Sequence, residues 1–301
     1  MTRPPLAAAF ALCAALGVIL GTALDSAPAR TPSVRGGYRV LEVDFHAHTR
    51  FIDGFLSPFD LVLQARRRGL DALAITEHNV IFPAQMGRWF SRATGGPAIL
   101  IGEEVTTSAY HLHGIGLTQR LNASDTLVQV LDDIHRQGGV AIAAHPVRRY
   151  WASFMPVLDR LDATEVMHPI AYGGTGRAGW HWQDLPDFYE QAAASGHRLT
   201  AIGSSDYHFG SPLGVCRTLV FAQGDDADAV LDAVKHGRTV VFDLEGKAFG
   251  DPALIELLRR EPYTPRPEDY AYQGDGLLDR IARSIGWVGL LGLILVKRRR
   301  R

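Results

Sequence analysis

Five short stretches of the chain bring histidines and carboxylates close together: His46-Ala47-His48, Glu77-His78, Glu103-Glu104, His145-Pro146 and Asp206-Tyr207-His208. His46 and His48 are two residues apart, so on a strand both imidazoles project to one face, and Asp206 and His208 repeat that arrangement. Imidazole with carboxylate suits Zn, Mn or Fe. The chain has only 2 cysteines, which argues against an iron–sulfur cluster or a thiolate zinc module. Glu104 is the natural carboxylate to bridge two ions. Paired divalent ions can generate a hydroxide near neutral pH and clamp both the attacking and the leaving oxygen. A serine hydrolase is excluded, because no Gly-x-Ser-x-Gly elbow occurs.

These groups must be carried by elements, and the pattern supplies them. Short apolar runs alternate with helical segments, the sign of a parallel sheet or barrel. Strands are predicted at 38–45, 72–76, 98–101, 114–117, 139–144, 163–167 and 199–203. Ser57-Pro58-Phe59-Asp60 opens a helix that Gly69 closes; further helices are predicted at 125–136 and 226–236. Each histidine or carboxylate stretch follows one of the predicted strands. In parallel barrels the C-terminal strand ends converge on one site, so the five stretches predict a polynuclear metal centre.

The two ends of the chain are apolar. Residues 6–24 carry no charge and are followed by Ala27-Pro28-Ala29, a small-x-small pattern suited to cleavage, so 1–29 is predicted to be a signal peptide or an N-terminal membrane anchor. Residues 277–301 read as a C-terminal anchor ending in Lys297 and four arginines, which the positive-inside rule places in the cytoplasm. The alternative for this segment is a helix lying on the membrane surface. Residues 251–276, rich in proline and charge, are expected to be a linker, leaving 38–245 as the working domain, exported to the extracytoplasmic face. Of 31 basic residues the terminal run holds five, leaving 26 against 32 acidic ones; so acidic a body does not bind nucleic acid by bulk charge. Membrane contact through the terminal segments is expected, and nothing in the sequence sets an oligomeric state.

The motifs DFHAHT (44–49), Ile52-Asp53-Gly54, AITEHN (74–79), GEEV (102–105), AAHP (143–146) and SSDYH (204–208) occur in one order over about 200 residues. Together they resemble the PHP superfamily, the polymerase and histidinol phosphatase domain. EEVTTSAYHLHGIGL, QGGVAIAAHP and GHRLTAIGSSDYH further resemble its carbaryl-hydrolase-like branch. The resemblance implies an α/β fold, a distorted (β/α)7 barrel, holding two or three divalent ions (Zn, Mn or Fe). By motif position His46, His48, Glu104 and Asp206 would hold the first ion. Glu104, His145 and one of His111 or His113 would hold the second, with His111 the better fit. Asp53, His78 and His208 would hold a third, although Asp53-Gly54 also reads as a simple turn. Glu104, Asp206 and His208 are the expected catalytic residues. Glu77 stands where the family usually has Asp and is read as orienting a ligand. His168 stands where the branch more often carries Asn, and would either touch substrate or cap a strand.

Other signals are weaker. Arg148 and Arg149 follow the His-Pro element and could grip a phosphate or be solvated surface residues. The glycine-rich stretch 172–182 is a candidate lid; its glycines do not match a nucleotide-binding fingerprint. His135, His197 and His236 are expected to play no catalytic part. The resemblance points to a phosphoesterase acting on phosphate monoesters or small nucleotides. The alternatives are a carbamate, ester or amide hydrolase using the same ligands, and a non-catalytic metal-binding domain displayed at a membrane. A polymerase-associated role is disfavoured by the acidic body.

Overall fold

The computed structural model describes residues 4–25, 32–173, 179–209, 211–263 and 277–298, in two compact units. The larger unit, Arg30–Glu268, is built on one sheet of eleven strands. They are β1 (Ser33–Arg35), β2 (Tyr38–Asp44), β3 (Ala72–Ile75), β4 (Ala98–Thr106), β5 (His111–Ile115), β6 (Val140–Ala143), β7 (Ala163–Met167), β8 (Thr200–Gly203), β9 (Thr218–Ala222), β10 (Thr239–Phe242) and β11 (Ala248–Gly250). The order is β11-β10-β9-β2-β3-β4-β5-β6-β7-β8, with β1 on β2.

The sheet curls into a nearly closed barrel. Where β8 meets β9 and β10 the bridges run through threonine hydroxyls: Thr218 Oγ1 accepts from Gly203 N and donates to Gly203 O, both at 2.8 Å, and Thr239 Oγ1 donates to Ala201 O at 2.8 Å. One face of the strands lines the lumen with Val43, Ala74, Leu100, Ile142, Ile202 and Val220, together with Val230 and Val234 of the helix Ala227–Lys235. The other face, with Leu73, Ile75, Ile101 and Ala141, packs under the helices Pro58–Arg67, Phe82–Thr94, Leu127–Arg136 and Asp184–Ala194. Two of these helices are capped as their sequences dictate, Pro58–Arg67 by Ser57 and Leu127–Arg136 by a Thr126–Gln129 capping box.

The structure departs from the predicted pattern in three places. Among the described residues the sheet has eleven strands, more than the seven of the expected barrel. It is also not uniformly parallel. The turn 107–110, closed by Thr107 N–H donating to Tyr110 O at 3.0 Å, is too short for a crossover, so β4 and β5 pair antiparallel, and β5 pairs antiparallel with β6. The expected linker begins with a helix, Pro252–Arg260: Asp251 caps it, Pro252 takes its first turn, and Leu254 and Leu258 are buried against Val40, Leu219 and Phe221. The charges read as a linker signal, Glu256, Arg259 and Arg260, face solvent. The rest of the expected linker, 264–276, and the cleavage pattern at 27–29 lie outside the described residues.

The second unit contains the helices Pro4–Asp25 and Leu277–Arg298. They meet through glycine: a Cβ on Gly17 would lie 2.3 Å from Gly286 Cα, and one on Gly289 2.3 Å from Ala14 N. Leu16, Ile19, Trp287 and Leu291 are exposed on the outside of the pair. Among the described residues no helix is long and apolar enough to cross a membrane.

Candidate metal centre

The lumen register delivers several site groups to one rim. Leu100 faces the lumen, and so, by strand alternation, does Glu104 four residues on; Ala163 does the same for Glu165, whereas His145 follows the end of β6 and is aimed by the turn there. β5 runs the other way, so His113 lies opposite Glu104 and His111 opposite Thr106, which puts the start of β5 at the rim where the other strands end. Beyond β8 and β6 the chain turns sharply, with Asp206 at φ 43° and His145 at φ 25°. Such values strain a non-glycine residue by about 1–3 kcal/mol and persist where surrounding bonds impose them. Here Asp44 Oδ1 accepts from Ser205 N at 3.0 Å, Tyr207 N donates to His46 O at 3.3 Å, and Glu165 Oε2 accepts from His145 N at 2.6 Å.

Three groups of ligand atoms converge. Around the first, His46 Nε2 and His48 Nε2 stand 2.8 Å apart, and Asp206 Oδ1 lies 3.0 and 3.3 Å from them. Glu104 Oε2 completes the group at 3.7 and 3.6 Å. Four ligands about 2.0–2.2 Å from a tetrahedral ion lie roughly 3.3–3.6 Å from one another, a range that the spacings here, from 2.8 to 3.7 Å, straddle. The second group is on the other oxygen of Glu104: Oε1 lies 2.8 Å from His111 Nδ1 and 3.2 Å from His145 Nε2. The third unites His48, Asp53, His78 and His208, with Asp53 Oδ2 3.2 Å from both His78 Nε2 and His208 Nε2. Glu104 Oε2 is buried among nitrogens of His46, His48 and His78, the last 2.7 Å away, and Oε1 among those of His111 and His145. The donor set, imidazole and carboxylate, therefore fits divalent ions.

Charge in the site follows the same logic. Burial alone would raise Glu104 and Asp206, but His46 and the neighbouring imidazoles hold both well below the usual carboxylate range. Burial would lower His46, yet Asp206, Glu165 and Glu104 together push it well above its ordinary value. His78, despite burial, is raised to about 10 by Asp53 and Glu104. The cluster demands positive charge and takes it as protons on imidazole.

Glu77, expected to orient a ligand, lies with Oε1 3.5 Å from His48 Nδ1, and Thr49 N and its hydroxyl donate to its other oxygen. Thr106 Oγ1 donates to Glu104 O at 3.3 Å and lies 2.7 Å from His78 Nδ1, which is also 2.7 Å from Glu104 Oε2, so Nε2 is the nitrogen of His78 that faces Asp53. Gly54 allows the Asp53 turn to lie against the first histidine motif, because a Cβ there would sit 2.5 Å from His48 C and O.

Of the two candidates on β5, His111 reaches Glu104 and His145. His113 is deeper, its Nε2 3.0 Å from His46 Nδ1, and burial, with His46 beside it, lowers it to about 4. Arg148 and Arg149 are not among the described residues that line the cavity over the site. The Arg148 guanidinium lies near Asp184 and Asp187 and stacks on Trp151, whereas Arg149 bonds Tyr150 Oη and sits 5.3 Å from the Trp180 ring, itself a cavity wall. His168 lines the cavity, its Nε2 3.1 Å from Asp206 Oδ2. His135 and His236 pair with Asp162 and Asp232, away from the cavity. Part of the candidate lid, 174–178, lies outside the described residues.

The sequence reading missed Glu165. Its Oε1 lies 3.0 Å from His46 Nδ1 and accepts from Ser204 Oγ, and its Oε2 accepts from His145 N. The available signal was a carboxylate within the otherwise uncharged strand run Ala163–Met167.

Comparisons with known proteins agree with this geometry. The family model described as the PHP domain matches residues 44–291. An uncharacterised protein of Methanocaldococcus jannaschii is 26% identical over 117 residues, covering 35% of this chain and 68% of its own length. The crystal structure of a two-domain protein from Bacteroides vulgatus, described as containing a predicted PHP-like metal-dependent phosphoesterase, superposes with a TM-score of 0.59 at 22% identity, over 78% of this chain and 74% of that one. That likeness is one of fold.

Proposed function

The chain belongs to the PHP domain family, and on that premise we propose that it is a metal-dependent hydrolase, and more narrowly a phosphoesterase of small phosphate monoesters. The observation that carries the reading is Glu104, whose two oxygens face two separate sets of imidazoles. On this reading His46, His48, Glu104 and Asp206 hold one ion; Glu104, His111 and His145 a second; and Asp53, His78 and His208 a third. Bound ions supply Lewis acidity and a nucleophile from water near neutral pH. The chain's own residues do the rest. Glu165 accepts at His46 Nδ1, which turns the Nε2 lone pair inward, and Glu77 stands beside His48 Nδ1. His208 stands at the cavity wall, where Nδ1–H donates to Asp206 O at 2.9 Å and so turns the Nε2 lone pair toward the third ion.

A second reading has its own support. Among the described residues lining the cavity there is no lysine or arginine, while Tyr172, Trp180 and Phe209 supply aromatic wall. Such a wall suits an uncharged aryl carbamate, ester or amide, the chemistry of the carbaryl-hydrolase type. Rates on an aryl phosphate, an aryl carbamate and an aryl ester, measured side by side with Mn- or Zn-loaded protein, separate the two. Preference for phosphate is expected; a faster carbamate or ester overturns the narrower reading and keeps the hydrolase. For location we propose export, supported by the uncharged run 6–24; a compartment-sensitive reporter fused after residue 36 would be cytoplasmic if this is wrong.

A further inference from the structure

His168 lies among candidate ligands: one nitrogen from each of His46, His145 and His168 and one oxygen of Asp206 fall within 4.8 Å of one another. Counted by proximity it would be a ligand. Its other nitrogen argues against this. Pro169 confines His168 to extended backbone, φ −151° and ψ 154°, and starts a short 3-10 turn whose Ile170 N–H donates to His168 Nδ1 at 3.2 Å. A nitrogen that accepts a hydrogen bond carries no proton, so the single proton of the neutral ring is on Nε2. Nε2–H in turn points at Asp206 Oδ2, 3.1 Å away. A neutral imidazole that ligates through Nε2 must carry its proton on Nδ1, opposite the Ile170 N–H. His46 has the opposite arrangement, with the acceptor Glu165 Oε1 at its Nδ1 and Nε2 free to ligate.

We propose that His168 is not a metal ligand but a positioning residue with its proton fixed on Nε2. It occupies Asp206 Oδ2 and leaves Oδ1, 3.0 Å from His46 Nε2 and 3.3 Å from His48 Nε2, as the only oxygen of Asp206 offered to the first ion. His168 is 1% exposed, so water does not compete for either of its bonds. The inference rests on the metal-centre reading of the site.

The test is the tautomer of His168 in Zn-loaded, 15N-histidine-labelled full-length protein, assigned by comparison with His168→Gln. A protonated Nε2 with an unprotonated Nδ1 is expected; a Zn-bound Nε2 with a protonated Nδ1 overturns the proposal. Metal content gives a second arm. At saturating metal His168→Ala and His168→Gln should keep the full equivalents of the wild type, and loss of one equivalent in both would also overturn it. His168→Ala should lower kcat and metal affinity by about 10- to 100-fold, the usual cost of removing a group that orients a ligand, and Gln, whose amide can donate to Asp206, should restore part of both. Equal loss in the two variants would contradict the donor role. If the wild-type protein takes up no metal, the metal-centre reading fails, while the tautomer in that same protein still judges this inference.

Discussion

Glu104 is the residue on which the site depends, and protonation around it makes a testable asymmetry. His46 and His78 hold protons above the usual imidazole range because they face carboxylates at close distance, His78 to about 10. A raised histidine stabilises the metal-free fold fully below its ordinary pKa near 6.5, and that contribution is lost as pH rises through about 10. Depressed Glu104 and Asp206 act in the opposite sense: their contribution is present above the ordinary carboxylate range and lost as pH falls. Metal must displace the imidazole protons, so apparent affinity should tighten as pH rises above 6.5, with protons released on binding. Calorimetric titration in buffers of different ionisation enthalpy measures this; buffer-independent heats would contradict it. Glu165→Gln keeps the size of the side chain but removes the charge facing His46 Nδ1 and should weaken metal binding about 10- to 100-fold.

At the scale of elements, the barrel positions these groups through strand register and short turns. Thr218 closes the seam by bonding both N and O of Gly203, and it is fully buried. Thr218→Val leaves both Gly203 groups without that partner and should cost about 1–3 kcal/mol in urea unfolding, while the metal ligands stay in place. Gly54→Ala should displace the Asp53 turn from His48 and weaken metal uptake at the third group before the others, read as a drop in equivalents at limiting metal. Much of this was legible in the sequence, because strand alternation and the residues at strand ends obey local rules: the 163–167 strand and the Ser57 helix start lie where the pattern put them, and the helix predicted at 125–136 spans Leu127–Arg136. What was not legible depends on partners far along the chain. Nothing local to Glu165 announces that it meets His46, 119 residues away. The charged run 251–260 reads as a linker until Leu254 and Leu258 find the surface of β2 and β9.

At the scale of the whole molecule, every candidate ligand lies in the unit Arg30–Glu268, and the two terminal helices belong to the other unit. Removing residues 1–29 and 269–301 should therefore leave metal content unchanged, while mutation of one buried carboxylate should not. The most direct measurement is metal content by elemental analysis of full-length wild-type and Glu104→Ala protein, each dialysed after saturation with Mn and checked for native secondary structure by circular dichroism. Because Glu104 faces two ligand groups, the account predicts that the wild type retains at least two equivalents and that the single substitution removes more than one, together with hydrolytic turnover. A folded Glu104→Ala protein that retained its full metal, or that lost none of its activity, would contradict it.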